Sequence, residues 1–350
     1  MSSILVTTFL AIIVIIVASL GLLRINEKFA AYHYKSLYEI QEPIDIVYTW
    51  VDGDDTEWLT EKNLYKGVSI KDASTVNRFK NRDEIKYSLR SLDMFAPWIR
   101  NIFIVTYSKD SYPSWLDINN ERVHIISHSD IFTDKSHLPT FNSQAIECHL
   151  YNIPGLSERF IYSNDDTMFG SRVNKQDFID RDGKLKYGYG KGMISSWKNP
   201  KYNGLFFDSW INNSKILDNT FGEDSKRIEI PHQLCIMDKK YMKFIYDNFP
   251  EEIEKTSKSR FRGEDNIAPI GLAIFCALAM DKAKRKDISN IVLKLTDSFI
   301  NTKIQMNKVN NSHPKLLCVN DDTKEPSLEI ENLLNNFFQS YFPLKSSFEL

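Results

Sequence analysis

Two short runs of β-branched and aromatic residues each end in a knot of carboxylates. Ile44-Asp45-Ile46-Val47-Tyr48-Thr49-Trp50-Val51 gives way to Asp52-Gly53-Asp54-Asp55, and Arg159–Tyr162 runs through Ser163-Asn164 into Asp165-Asp166. Both read as a strand followed by a turn. Between them, residues 82–94 predict a helix: Ile85, Leu89 and Leu92 recur at i, i+4, i+7, with Asp83 and Glu84 in the first turn. Residues 102–106 and 123–127 read as strands, and 143–153 as a helix stopped by Pro154-Gly155. Such alternation predicts an α/β body built on a mainly parallel central sheet. Ligands on these sheets bind beyond the carboxyl ends of strands. Both acidic turns fall at such ends.

Ahead of this body, residues 4–23 carry no charge, and about 20 apolar residues suffice for one membrane-spanning helix. Arg24, Lys28 and Lys35 follow the segment, so the positive-inside rule predicts a single-pass anchor with the body on the cytoplasmic face. The expected organisation is an anchor over 1–23, a polar stalk over 24–43, the body over 44–322, and a C-terminal helix and tail over 323–350. Five of the 13 glycines lie between Gly183 and Gly204, which predicts a flexible insertion at about 181–204. It reads either as a mobile loop or as a lid over an acceptor. Further helices are expected at 232–248, 267–283 and 328–342, and strands at 291–295 and 316–319.

Charge narrows the partners. With 44 basic and 46 acidic side chains the formal charge is -2, which gives no electrostatic case for nucleic acid. The four cysteines form no C-x-x-C pair and no zinc spacing, and Cys276 and Cys318 sit in apolar runs as small core residues.

Adjacent carboxylates such as Asp165 and Asp166 repel each other unless a cation or hydrogen-bond donors offset the charge. They read either as a solvated turn or as ligands of a hard cation. Arg82, Lys86 and Arg90 share one helix face, either a solvated stripe or a clamp for phosphate oxygens. His232 follows Pro231 at an expected helix start, where an imidazole would serve as a general base near neutral pH. Arg262 and Asn320-Asp321-Asp322 would be unremarkable alone.

The assembly is more specific than its parts. IDIVYTWVDGDD, then NRDEIKYSLRSLDMFAPWIRNIFIVT with PSWL after it, then LPTFNSQAIECHLYNIPGLSERFIYSNDDTMFG, and finally LLCVNDD stand in the order of four signature blocks. They resemble those of the Stealth proteins, a family that includes bacterial capsule-polymer phosphotransferases and the animal lysosomal-enzyme N-acetylglucosamine-1-phosphotransferase. The resemblance covers about residues 44–322. It implies a nucleotide-sugar-binding fold of the GT-A kind and transfer of a sugar-1-phosphate from a UDP-sugar to a hydroxyl of a glycan acceptor, with release of UMP. Asp45 and Asp52 would then belong to the nucleotide site, with Arg82 and Arg90 on the phosphates. Asp165, Asp166 and Asp321 would hold Mg²⁺ or Mn²⁺, and His232, Glu147, Arg262 and Asp322 would be catalytic, with His232 ahead of Glu147 as the base. The rival readings are a conventional glycosyltransferase releasing UDP and an inactive, membrane-tethered glycan-binding module.

Overall fold

The structure is a computed structural model and describes residues 40–65, 81–199, 202, 204–323 and 327–350. The anchor expected over 1–23, and the stalk as far as residue 39, lie outside the described residues. Among the described residues no helix is long and apolar enough to cross a membrane.

The first buried run forms β1 (Ile44–Thr49), flanked by β2 (Ile102–Thr106), β3 (Val123–Ser127) and β4 (Arg159–Asn164). With β7 (Cys235–Asp238) they make a five-stranded sheet in the order β3-β2-β1-β4-β7. β3, β2, β1 and β4 are parallel, and β7 alone runs antiparallel, against β4. β1, β2 and most of β4 are buried, which explains runs that are apolar throughout rather than alternating. The strand order reverses at β1, and its register brings Thr49 beside Val105 on one side and Asn164 on the other. Sheets whose strand order reverses in this way bind ligands in a crevice beyond the carboxyl ends of the strands at the reversal. Asp52 and the Asp165-Asp166 pair follow these strand ends.

A second sheet supports the acidic turn from behind. β5 (Thr167–Phe169) pairs antiparallel with β10 (Leu316–Asp321), which pairs parallel with β9 (Asn290–Leu295). Cys318 stands opposite Thr167, and the Val319 amide donates to the Asp166 carbonyl at 2.9 Å. One cluster of buried side chains, including Tyr87, Met168, Leu317, Val319, Phe337 and Phe338, joins this sheet to the Glu84–Phe95 and Leu328–Tyr341 helices. The Tyr87 and Phe338 rings stack at 4.5 Å.

Several elements depart from expectation. The helix expected at 232–248 is a bend, then β7, then a helix over Lys239–Asn248 whose N-cap Asp238 accepts from the Lys240 amide. A four-residue buried strand has no period to separate it from a buried helical turn. The helix expected over 143–153 shortens to Ser143–Glu147 plus a 3-10 turn at Leu150–Asn152. Helices at Leu205–Phe221 and Phe299–Ser312 were not anticipated.

Within the insertion expected at about 181–204, the structure describes residues 181–199, 202 and 204. β6 (Leu185–Tyr187) pairs with β8 (Ala283–Arg285), and the next segment runs as a ribbon against residues 227–229. Its glycines answer to packing. A Cβ on Gly190 would stand 1.9 Å from Glu229 Cγ, and one on Gly192 would stand 2.6 Å from a Trp197 ring carbon.

Candidate active site

The acidic turn links β4 to β5. Asp166 places Oδ1 and Oδ2 at 3.1 and 3.2 Å from His232 Nε2, and Cys318 Sγ at 3.6 Å from Oδ2. One ligand atom from each residue lies within 4.8 Å of the others, a spacing that could hold a metal ion. The arrangement follows from topology: β10 sets Cys318 behind the turn, and β7 against β4 brings His232 up from the other side. The Asp166 carboxylate holds the His232 imidazole well above its usual range, outweighing the opposing effect of burial. The Asp166 carboxylate thus favours the protonated form of the ring.

Asp165 and Glu84 carry the opposite strain. Burial, then the neighbouring charges of Asp166 and Glu84, raises the Asp165 carboxyl well above the ordinary carboxylate range. Burial also pushes Glu84 up to about 7, although its Oε2 accepts the Arg82 amide at 2.7 Å. Like charges crowded in this way are relieved by a cation, and the oxygen donors of Asp165 and Asp166 suit the hard ions Mg²⁺ and Mn²⁺. The residues present fit such an ion.

A second group lies where the Ser143–Glu147 helix passes the crevice. Tyr162 on β4 donates its hydroxyl to Glu147 Oε1 at 3.1 Å, with Thr49 Oγ1 at 3.3 Å from the same hydroxyl. Burial lifts Glu147 to about 7, against the pull of Arg262 and, more weakly, Tyr162 and His232. Arg262 is lowered by burial and sustained by Glu147, and it donates to Ser143 Oγ at 2.8 Å. Its loop is fixed by Asn266, whose Oδ1 accepts from Asn142 Nδ2 and from the Gly263 amide, each at 2.9 Å. Because Glu147 senses both Arg262 and His232, the two groups share one electrostatic field.

Five expected site residues fall elsewhere or are already engaged. Asp45 lies near the start of β1, four residues before Thr49 and so about 13 Å from the crevice end. Its buried carboxylate accepts from Arg100 at 2.8 and 2.6 Å, the Asn101 amide at 3.0 Å and the Ser157 amide at 2.7 Å. It is a structural anchor rather than a nucleotide ligand. Arg90 forms a two-pronged pair with Glu349 at 2.9 and 2.8 Å, which fastens the C-terminal tail. Arg82 is enclosed by Glu331 and by Asp321 Oδ2 at 2.9 Å, which engages both Arg82 and Asp321. Asp322 is exposed and pairs with Lys294 at 2.8 Å. Asp52 does lie at the crevice end, where it accepts the Asp54 amide at 3.0 Å. Asp166 and His232 meet directly beside Asp165, and Arg262 and, more weakly, His232 act on the Glu147 carboxyl. Sequence reading missed Glu84 and Tyr162 as members, and took Cys318 only as core.

Four family models match the chain in order: Stealth protein conserved region 1 over residues 42–67, region 2 over 78–187, region 3 over 232–270 and region 4 over 307–350. An exopolysaccharide phosphotransferase of Streptomyces coelicolor is 31% identical over 338 residues, covering 90% of this chain and 34% of its own. The exopolysaccharide phosphotransferase CpsY of Mycobacterium tuberculosis is 31% identical, covering 87% of this chain and 58% of its own. The capsular polysaccharide phosphotransferase SacB of Neisseria meningitidis serogroup A is 33% identical, covering 87% and 57%. The chain thus spans between a third and three-fifths of these relatives. Among solved structures, the galactosyltransferase LgtC is similar at 9% identity and a TM-score of 0.41, covering 86% of this chain and 95% of its own. Overlap that partial settles neither fold nor chemistry.

Proposed function

Because the chain belongs to the Stealth family, we propose that it transfers a hexose-1-phosphate from a UDP-sugar to a hydroxyl of a glycan acceptor. The product is a phosphodiester and the spent nucleotide is UMP. The unit moved is an N-acetylhexosamine-1-phosphate, and the setting is capsular or cell-surface polysaccharide synthesis. The names of the relatives support the reaction class. The observation that carries it is the Asp166–His232 pair at the carboxyl end of β4, with the charge of His232 reaching the Glu147 carboxyl that Arg262 also acts on. The strand order around β1 supports a nucleotide-sugar crevice of the GT-A kind.

Attack at phosphorus builds negative charge on the equatorial oxygens, so positioning and cationic stabilisation supply most of the acceleration. Arg262 supplies positive charge near the Glu147 carboxyl, and His232 adds to it when protonated. Asp165 and Asp166 would hold Mg²⁺ or Mn²⁺, which when bound adds positive charge at the diphosphate oxygens. The acceptor hydroxyl must lose a proton. His232 Nε2 is engaged with the Asp166 carboxylate, whereas Glu147, held near 7, is poised to take a proton at neutral pH. We therefore assign Glu147 as the base, ahead of His232. Tyr162 orients the Glu147 carboxylate and Arg262 favours its charged form. The bond between the sugar carbon and its oxygen stays intact, so the anomeric configuration is kept.

An N-terminal anchor over residues 1–23 with the body facing the cytoplasm completes the proposal, and rests on hydropathy and the following basic residues. The test uses the chain with Mg²⁺, a panel of UDP-sugars and candidate glycan acceptors. Chromatography should find UMP, and phosphorus NMR a diester. UDP with no diester would point to glycosyl transfer and overturn the proposal.

A further inference from the structure

Cys318 is fully buried, yet it does not face the cluster behind it. Its neighbours on β10, Leu317 and Val319, point into the cluster that holds Tyr87 and Phe338. Side chains alternate along a strand, so Cys318 faces the other way, toward the acidic turn. There its Sγ lies 3.6 Å from Asp166 Oδ2, while His232 Nε2 lies 3.1 and 3.2 Å from the two oxygens of the same carboxylate. A sulfur, an imidazole nitrogen and a carboxylate oxygen thus converge within 4.8 Å of one another.

These spacings follow the edges of a coordination tetrahedron. Zinc takes cysteine sulfur at about 2.3 Å, histidine nitrogen at about 2.0–2.1 Å and carboxylate oxygen at about 2.0–2.2 Å. Tetrahedral angles between such bonds set nitrogen and oxygen about 3.3–3.5 Å apart, and sulfur and oxygen about 3.5–3.7 Å apart. The sulfur edge here falls inside its range, and the nitrogen edges fall within ~0.2 Å of theirs. Strand pairing fixes the frame. Cys318 stands opposite Thr167 across the β5–β10 ladder, and the Val319 amide holds the Asp166 carbonyl at 2.9 Å. On the other side Cys235 pairs with Tyr162, and its Sγ donates to the Gln233 carbonyl at 3.4 Å, beside His232. Asp166 is half-buried and His232 exposed, so the group opens to solvent away from Cys318, which gives a cation its entry and a water its fourth position. A hard cation accounts for the carboxylates but not for the thiol. Mg²⁺ seeks oxygen and keeps its water, whereas a thiolate selects zinc and cations like it.

We infer that Asp166, His232 and Cys318 form a site for a thiophilic divalent cation of the zinc class, and that filling it shuts phosphotransfer off. The thiol binds as thiolate and the imidazole through a bare Nε2, their protons passing to solvent. Occupation ties up His232 and takes Asp166 from the Mg²⁺ or Mn²⁺ it would share with Asp165. The inhibition rests on the proposed function; the binding does not.

In the test the full chain is titrated with Co²⁺ alone, without oxygen or substrate. One equivalent should give a near-ultraviolet thiolate-to-cobalt band together with the strong visible bands of a four-coordinate ion, and Zn²⁺ should bleach both. Cys318→Ser should remove the thiolate band although Cys148, Cys235 and Cys276 remain, and His232→Ala should weaken binding by at least about 100-fold. Zinc K-edge absorption of the wild-type protein needs no variant and should find one sulfur at about 2.3 Å among lighter neighbours. In turnover with Mg²⁺, micromolar Zn²⁺ should halt the reaction and a chelator should restore it. Cys318→Ser should raise the zinc needed for half-inhibition by at least about tenfold. A six-coordinate cobalt spectrum without the sulfur band, a zinc shell of oxygen and nitrogen only, or unchanged zinc sensitivity in Cys318→Ser overturns the inference. Release of UDP rather than UMP overturns the proposed function alone, since the metal titrations use no substrate.

Discussion

Burial lifts the Glu147 carboxyl from 4.5 to about 7, against the pull of Arg262. If Glu147 is the base, the rate must follow its ionised fraction. That fraction is roughly one tenth at pH 6 and nine tenths at pH 8, so kcat/KM should rise about ninefold between them. A carboxylate left at its ordinary value would be ionised throughout and give a flat profile. The shift also has a sign for folding. A carboxyl raised in the folded state favours that state fully below 4.5, and the benefit is lost as pH climbs to about 7. At 1.36 kcal/mol per tenfold change the loss is about 3 kcal/mol, so denaturant midpoints should fall across that window. Glu147→Gln keeps the shape and an acceptor for Tyr162 but cannot take a proton. It should lower kcat by about 10²- to 10⁴-fold and remove the rising limb. The assay is initial rate against pH with saturating donor, for wild type and variant. A flat wild-type profile from pH 5 to 8, or a variant that keeps the rising limb, would refute the assignment.

Asp166→Asn should reduce turnover by at least about 10²-fold while circular dichroism and melting stay near wild type, because the half-buried side chain lies at a turn rather than in the core. Asp45→Ala should do the reverse: it leaves the Ser157 and Asn101 amides without an acceptor, for a loss of about 2–4 kcal/mol in urea titrations, with kcat of the folded fraction unchanged. Gly190→Ala forces a methyl group into Glu229 and should cost about 1–3 kcal/mol by the same measurement. A melting temperature equal to wild type would show that the ribbon is as loose as its glycines first suggest.

What could be read from the sequence was local. The strands β1 and β4 and their acidic turns are written in adjacent residues, the Glu84–Phe95 helix in its spacing, and the Pro269–Ala279 helix in an apolar run with proline at its start. β7 could not be read, because Cys235–Asp238 is apolar, short and without period. The Arg82–Lys86–Arg90 stripe was visible but its meaning was not. The acids that engage its arginines, Glu331 and Glu349, stand 249 and 259 positions away, and Lys86 covers the Trp115 ring. Glu84 looked like an ordinary first-turn acid, and only the packing of the helix against the second sheet turns it inward. Gly190 and Gly192 were misleading in another way. Glycine marks both freedom and close approach, and only the positions of Glu229 and Trp197 decide for close approach.

The bond that breaks in the donor is the deepest commitment of the account. Donor carrying heavy oxygen in the link between the anomeric carbon and its phosphorus should pass that atom to the polymer, and mass spectrometry should find it in the new phosphodiester with unlabelled UMP as co-product. Heavy oxygen recovered in UDP, with none in the polymer, would contradict the account at its centre.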